Sequence, residues 1–150
     1  MPIQQSVVIA QIRDLVDEVT GIEAVYAPSE TDTNALPAAL NVLPCAIVLP
    51  GPTRQCKVGN GQVDTIYEVK VRLYEGGADA GERAASILPL RDLVITKLIA
   101  NVTLGGRCQV CLYESDSGYI GLPYGGSEYG GIEVTLVVRE VVAVTAAPGS

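Results

Sequence analysis

Two segments of the chain alternate apolar and polar side chains so regularly that they constrain the fold more than any other feature. In residues 67–74 the polar positions are Glu68, Lys70 and Arg72, and residues 132–139 repeat the pattern. The apolar series are Tyr67, Val69, Val71 and Leu73 in the first segment and Ile132, Val134, Leu136 and Val138 in the second. Because successive side chains of a strand point to opposite faces, this alternation predicts strands with one buried and one polar face. The sheet they belong to needs cover on one side, and its other face is solvated or covered by a partner.

A turn signal precedes the first of these strands. The tripeptide at residues 59–61, Gly-Asn-Gly, separates residues 54–58 from the strand that begins at Val63. Asparagine and glycine tolerate the positive φ of tight hairpin turns, so the sequence predicts a protruding β-hairpin. Upstream, residues 45–49 form a continuous apolar run between two prolines. Such a run is typical of a strand covered on both faces, and we expect it to be the central strand.

Helical spacing occurs twice. Residues 6–19 place apolar side chains three or four positions apart. Residues 79–88 and 90–100 show the same spacing, but Pro89 lies between them and lacks a backbone donor, so we expect two separate helical segments.

The remaining segments complete an α+β fold. The sequence predicts a strand over residues 107–113 and a long final strand over residues 132–144. Between them we expect a glycine- and tyrosine-rich loop over residues 114–131. We therefore expect one domain over residues 1–150, with residues 145–150 as a flexible tail. It combines a mostly antiparallel or mixed β-sheet, two helices packed on one face and the protruding hairpin.

Composition argues against several functions. The chain has no histidine, which excludes histidine-based catalysis and histidine metal sites, and its net charge of −7 opposes binding to phosphate backbones. We expect no export signal and no membrane span, because the N-terminus lacks a basic region followed by an apolar one and no apolar run reaches 18 residues.

The four cysteines could nominally form a metal site. Cys108 and Cys111 have the spacing of half a zinc site, and Cys45 and Cys56 could complete four ligands. However, Cys108 and Cys111 fall in a predicted strand, where residues three apart face opposite sides. We expect reduced, small buried side chains, no metal and no cofactor.

No motif indicates an enzyme. The glycine-rich stretch at residues 125–131 lacks the Lys and Ser/Thr that end a phosphate-binding loop, and a strand follows it rather than a helix. Without histidine, nothing in the spacing supplies a base for a cysteine nucleophile. Neighbouring carboxylates such as Glu128 and Glu133 are typical of a solvent-exposed face and do not indicate an active site.

Two groups of residues are candidates for an interface. Tyrosine offers contact area with a polar handle at low entropic cost, and the predicted loop is rich in it. The alternative is that one or two of these tyrosines fold back over the sheet edge, and that the hairpin is a plain solvated turn. The candidates are Tyr119, Tyr124, Glu128 and Tyr129 in the loop, Arg54, Lys57, Asn60 and Gln62 on the hairpin, and Arg72 on the following strand.

The order of these features resembles the tail terminator, or tail completion, family of tailed bacteriophages. The resemblance covers nearly the whole chain and rests on the N-terminal helix and on four segments in order. These are LPAALNVLPCAIVLPG at residues 36–51, YEVKVRL at 67–73, NVTLGG at 101–106 and YGGIEVTLVVRE at 129–140. None is a unique signature by itself.

The resemblance implies a virion protein made in the host bacterial cytoplasm. It would assemble as a hexameric ring at the tail–neck junction, contact the tail tube protein and the head–tail connector or stopper, and let DNA pass through its lumen without specific binding. Two alternatives remain: another neck protein, such as a head-closure protein or adaptor, or a small cysteine-based metal- or ligand-binding domain.

Overall fold

The computed structural model describes residues 5–28, 36–76 and 80–143. Two helices and six strands follow each other along the chain. They are α1 (Gln5–Asp17), β1 (Ala24–Tyr26), β2 (Cys45–Gly59), β3 (Gln62–Glu75), α2 (Ala80–Ile99), β4 (Val110–Asp116), β5 (Ile120–Tyr124) and β6 (Ser127–Ala143). The predicted flexible tail, residues 145–150, lies outside the described residues.

All six strands belong to one mixed sheet with the order β1-β2-β3-β6-β4, and β5 pairs with the first part of β6. β1 and β2 are parallel, and the other pairs are antiparallel. The predicted α+β class is confirmed. The apolar run of residues 45–49 is not the central strand, because β3 holds that position. Its residues 45–48 are nevertheless buried on both faces, since separate apolar clusters cover the two sides of β2.

The larger cluster lies between the sheet and both helices. It contains Ile12 and Val16 of α1, Val94 and Leu98 of α2, and the predicted apolar series of β3 and β6. Burying this much aliphatic surface is the main stabilisation available to a chain without Phe or Trp.

The expected helix break at Pro89 is wrong, because α2 runs through it. Ile87, Leu90 and Val94 are all buried on the side that faces the sheet, whereas Pro89 lies on the exposed side. Packing on both sides of the proline holds the two turns in line, and the carbonyl it leaves without a donor is on the side that water can reach.

The prediction of a loop over residues 114–131 is also wrong for most of these residues. β4 continues to Asp116, and β5 and β6 form a hairpin around Gly125 and Gly126, both with positive φ. This hairpin covers the helix-free side of the sheet at one end. There it packs with residues 36–44 around the smaller cluster, which contains Leu40, Cys45, Ile47, Tyr74 and Leu122.

Candidate assembly surface

One end of the sheet extends beyond its helical cover. We name this part the arm, and define it as residues 53–66 of the β2–β3 hairpin with residues 139–143 of β6. The predicted hairpin is confirmed: Gly59 pairs with Gln62, and Asn60 and Gly61 make the turn with φ of 52° and 72°. Every residue from Thr53 to Gln62 is exposed. The arm is therefore exposed along the β2 strand and the turn, whereas Thr65 and Glu140, nearer the body of the sheet, are only 6% and 3% exposed.

The outer edge of β2 is open along the arm. β1 pairs with β2 only at Cys45, Ala46 and Ile47, and in the described part of the chain no strand pairs with β2 on that side beyond Ile47. Pro50 and Pro52 remove two donors next to the body of the sheet, but residues 53–59 contain no proline. An edge of this kind presents backbone groups that a neighbouring chain can pair with.

Four of the predicted interface residues lie on the arm. Arg54, Lys57, Asn60 and Gln62 are all exposed. Arg54 is engaged within its own chain: its Nε donates to Glu68 Oε2 at 2.8 Å, and its Nη1 donates to Glu114 Oε1 at 2.7 Å. Lys57 has no ion-pair partner among the residues described.

The helix-free face of the sheet carries a network of ion pairs. Lys70 Nζ lies 2.9 Å from Glu68 Oε1, Arg72 Nε donates to Glu133 Oε2 at 2.8 Å, and Arg139 pairs with Asp64 at 2.7 Å. Arg72, another predicted interface residue, is thus one member of this network.

These pairs lower the pKa of the carboxylates involved. Arg54 and Lys70 lower the pKa of Glu68, Arg54 that of Glu114, and Arg139 that of Asp64, each chiefly through hydrogen bonds to the charged form. Arg54, Lys70, Arg72 and Arg139 of this face are already paired with carboxylates, so these four cations offer little to a phosphate backbone.

The remaining candidates lie at the opposite end of the long strands. Gln62 and Glu75 begin and end β3, so about 40 Å separates the tip of the arm from the β5–β6 hairpin at roughly 3.3 Å per residue. The predicted interface residues therefore form separate surfaces rather than one site. Glu128 is exposed on the β5–β6 hairpin, and Tyr119 is half-buried against the larger cluster.

Tyr124 and Tyr129 fold back onto their own sheet. Their rings meet Tyr74 edge to face, with centroids 6.2 and 5.8 Å apart. The Tyr124 hydroxyl donates to the Pro37 carbonyl, and the Tyr129 hydroxyl accepts from the Leu40 amide at 3.4 Å. These two tyrosines hold the segment before β2 in place. The Gly125-Gly126 pair is a hairpin-turn signal. It could have predicted that Tyr124 and Tyr129 lie on a β-hairpin.

Replacing Tyr124 with phenylalanine is expected to lower the free energy of unfolding by about 1 kcal/mol, since one partly buried hydrogen bond is lost. Urea denaturation measures the change. Tyr26→Phe is the matched control, because Tyr26 belongs to the same cluster and its hydroxyl makes no hydrogen bond among the described residues. Equal losses for both variants would contradict the assigned hydrogen bond.

The four cysteines do not converge. Cys45 and Cys56 are eleven positions apart on β2, about 35 Å, and Cys45 and Cys111 belong to clusters on opposite faces of the sheet. Burial raises the pKa of Cys45 and Cys111 to about 12 and that of Cys108 to about 11. These three thiols stay protonated at neutral pH and are poor nucleophiles.

A groove lies elsewhere, between α1 and the end of β1. It has a volume of about 710 Å³ and is lined mostly by apolar and small side chains, including Ile9, Ala10 and Ala27. Arg13, which lines the groove, pairs with Asp14 at 3.2 Å. Within the described ranges, no group of three or more Cys, Asp or Glu side chains is placed to hold a metal ion.

Comparisons with known proteins identified no relative: no protein-family model matches the chain, and no curated protein matches it. Among the helices described, none is long and apolar enough to cross a membrane.

Proposed function

We propose that this chain is a structural protein that closes the end of a bacteriophage tail tube by assembling into a ring of about six copies. The observation that carries the proposal is the arm: a three-stranded ribbon outside the helical cover, whose β2 edge has no strand beside it among the residues that the structure describes. An open edge of this length invites association, and a protein that functions as a single copy normally blunts or covers it. The resemblance to tail terminators supplies the biological setting.

The charge distribution agrees with a ring around DNA. The chain carries −7 overall, and four cations of the helix-free face, Arg54, Lys70, Arg72 and Arg139, are paired with carboxylates of the same face. A surface of this kind does not hold the phosphate backbone, because binding requires free cations that release counterions. DNA would pass through the lumen without being bound.

The ring would occupy the tail–neck junction of the virion after synthesis in the host bacterial cytoplasm. One surface would contact the last ring of the tail tube and stop its growth, and another would receive the head–tail connector or stopper. Both partners are proteins, and the role needs neither a catalytic residue nor a cofactor. The separation of the four thiols disfavours the cysteine-based alternative.

Removing the gene from the phage that encodes the chain tests the proposal. We expect overlong tails in electron micrographs, and a return to uniform length when the wild-type protein is supplied. Finished tails of normal length beside heads that leak DNA would contradict the terminator role and indicate a head-side stopper or adaptor. As a matched control, the Tyr26→Phe variant should restore tail length as well as the wild type does.

A further inference from the structure

The helix-free face of the sheet has an apolar centre beside the arm. Leu112 pairs with Val137, and Val137 pairs with Glu68, a member of the ion-pair network on this face. Ile66 is two positions from Glu68 on β3 and therefore points to the same side. Leu112 is 50% exposed, and Ile66 and Val137 are half-buried. An apolar centre surrounded by charged side chains is the usual composition of a protein interface.

The charges around this apolar centre are positive in excess. Asp64 lies between two cations, because Arg139 Nη2 is 2.7 Å from its Oδ2 and Lys57 is its register partner on β2. The hydrogen bond from Arg139 lowers the pKa of Asp64, and the positive charge of Lys57 lowers it further. Arg139 is also the outer member of its ion pair, at 49% exposed against 30% for Asp64. We name the following residues the sheet patch: Lys57, Ile66, Leu112, Val137 and Arg139.

The rest of the network on this face is balanced. It sets three cations against three carboxylates, namely Arg54, Lys70 and Arg72 against Glu68, Glu114 and Glu133. The excess of one positive charge therefore belongs to the sheet patch, where two cations share Asp64.

The outer side of α2 carries the opposite excess. Leu88, Asp92 and Ile99 repeat at helical spacing on the side turned away from the sheet, and the two apolar side chains are 40% and 59% exposed. Arg91 is shared by two carboxylates, at 3.1 Å from Asp92 and 3.6 Å from Asp116. Asp92 is the outer member of its pair, at 66% exposed against 26% for Arg91. We name Leu88, Asp92 and Ile99 the α2 patch.

From this complementarity we propose that the sheet patch of one copy docks on the α2 patch of a second copy. Both patches expose apolar side chains, and the outermost charge is positive on one and negative on the other. They lie on opposite sides of the sheet, so the contact joins two copies. Two different patches that fit each other make a head-to-tail contact, and such contacts generate a ring when the rotation between copies closes. The inference rests on the proposed function and specifies the interface by which its ring forms.

Placing a charge on each apolar surface tests the contact by sedimentation velocity over a range of concentrations. We expect Leu112→Asp on the sheet patch and Ile99→Asp on the α2 patch each to weaken association by about tenfold or more, because each buries an unpaired carboxylate in the contact. Val42→Asp is the matched control: Val42 is 44% exposed before β2, outside both patches, and this variant should associate normally. Circular dichroism verifies that every variant is folded.

Charge exchange tests whether these two surfaces meet each other. Lys57→Glu and Asp92→Lys should each weaken association by about tenfold, because like charges then face each other across the contact. The double variant should return to within about threefold of the wild type, since the complementarity is restored with its sign reversed. Glu128→Lys is the control for total charge, because Glu128 is exposed on the β5–β6 hairpin outside both patches, and it should associate normally.

The outcomes separate the two proposals. If the wild type associates but the single variants match it, or the double variant is no better than Lys57→Glu and Asp92→Lys, the docking surfaces are wrong and the ring proposal stands. An equal loss for Glu128→Lys would also contradict the docking surfaces, because total charge would then explain the effect. If the wild type does not associate at any concentration, the ring proposal fails and the docking surfaces fail with it.

Discussion

Replacing Gly131 with alanine is expected to lower the free energy of unfolding by about 3 kcal/mol, because the substitution forces apart two strands at the middle of the sheet. Gly131 pairs with Tyr74 between β6 and β3. A Cβ atom at this position would overlap the carbonyl oxygen of Leu73 and come within 2.8 Å of Leu122 Cδ1. The first of these neighbours is backbone, which can move only by shifting β3.

Urea denaturation of Gly131→Ala measures the loss. Gly59→Ala is the matched control, because Gly59 also lies in a strand and nothing approaches within 4 Å of the position its Cβ would take. We expect the control to change the free energy of unfolding by less than about 0.5 kcal/mol. If the two variants lose equal stability, the close approach of β6 to β3 at Gly131 is wrong.

Raising the pH from 9 to 11 is expected to remove on the order of 4 kcal/mol of stability through two buried thiols. Burial raises the pKa of Cys45 and Cys111 to about 12 in the folded chain, and an exposed thiol has a pKa of about 8.5. Above pH 9 the unfolded chain therefore loses protons that the folded chain retains. Stability is complete below the unfolded pKa and falls as the pH rises toward the folded value. Cys108, whose pKa burial raises to about 11, and Tyr67, whose pKa is also raised by burial, add to the loss in this range.

The slope of stability against pH identifies the groups responsible. Cys45→Val and Cys111→Val should each reduce the slope between pH 9 and pH 11 by about 1.4 kcal/mol per pH unit at most, whatever their effect on stability at pH 7. A flat profile for the wild type over this range would show that the two thiols are accessible to water.

Parts of the fold follow from local sequence, and parts depend on tertiary contacts. The alternation in β3 and β6 and the turn at Asn60 and Gly61 were sufficient to predict the arm, because one-sided burial and positive φ leave clear patterns. The course of α2 through Pro89 was not predictable, because the packing of Ile87 and Leu90 outweighs the proline.

The candidate assembly surface was likewise predictable from the sequence only in part. The exposure of Lys57 and Asn60 was predicted from the turn. By contrast, the strands β5 and β6 around Gly125 were missed, because glycine and tyrosine dilute the period-two pattern there. The inward side of α2, with Leu90, Val94 and Leu98, was predicted from its helical spacing and is buried. The exposed apolar side chains Leu93 and Ile99 on the same helix were not singled out.

Light scattering coupled to size exclusion tests the central claim most directly. A single copy has a mass of 15.7 kDa. If copies complete one another through the arm, the purified chain should elute at about six times that mass and appear as rings in negative-stain images. A constant single-copy mass up to high protein concentration would contradict the account, because the open edge of β2 would then need no partner.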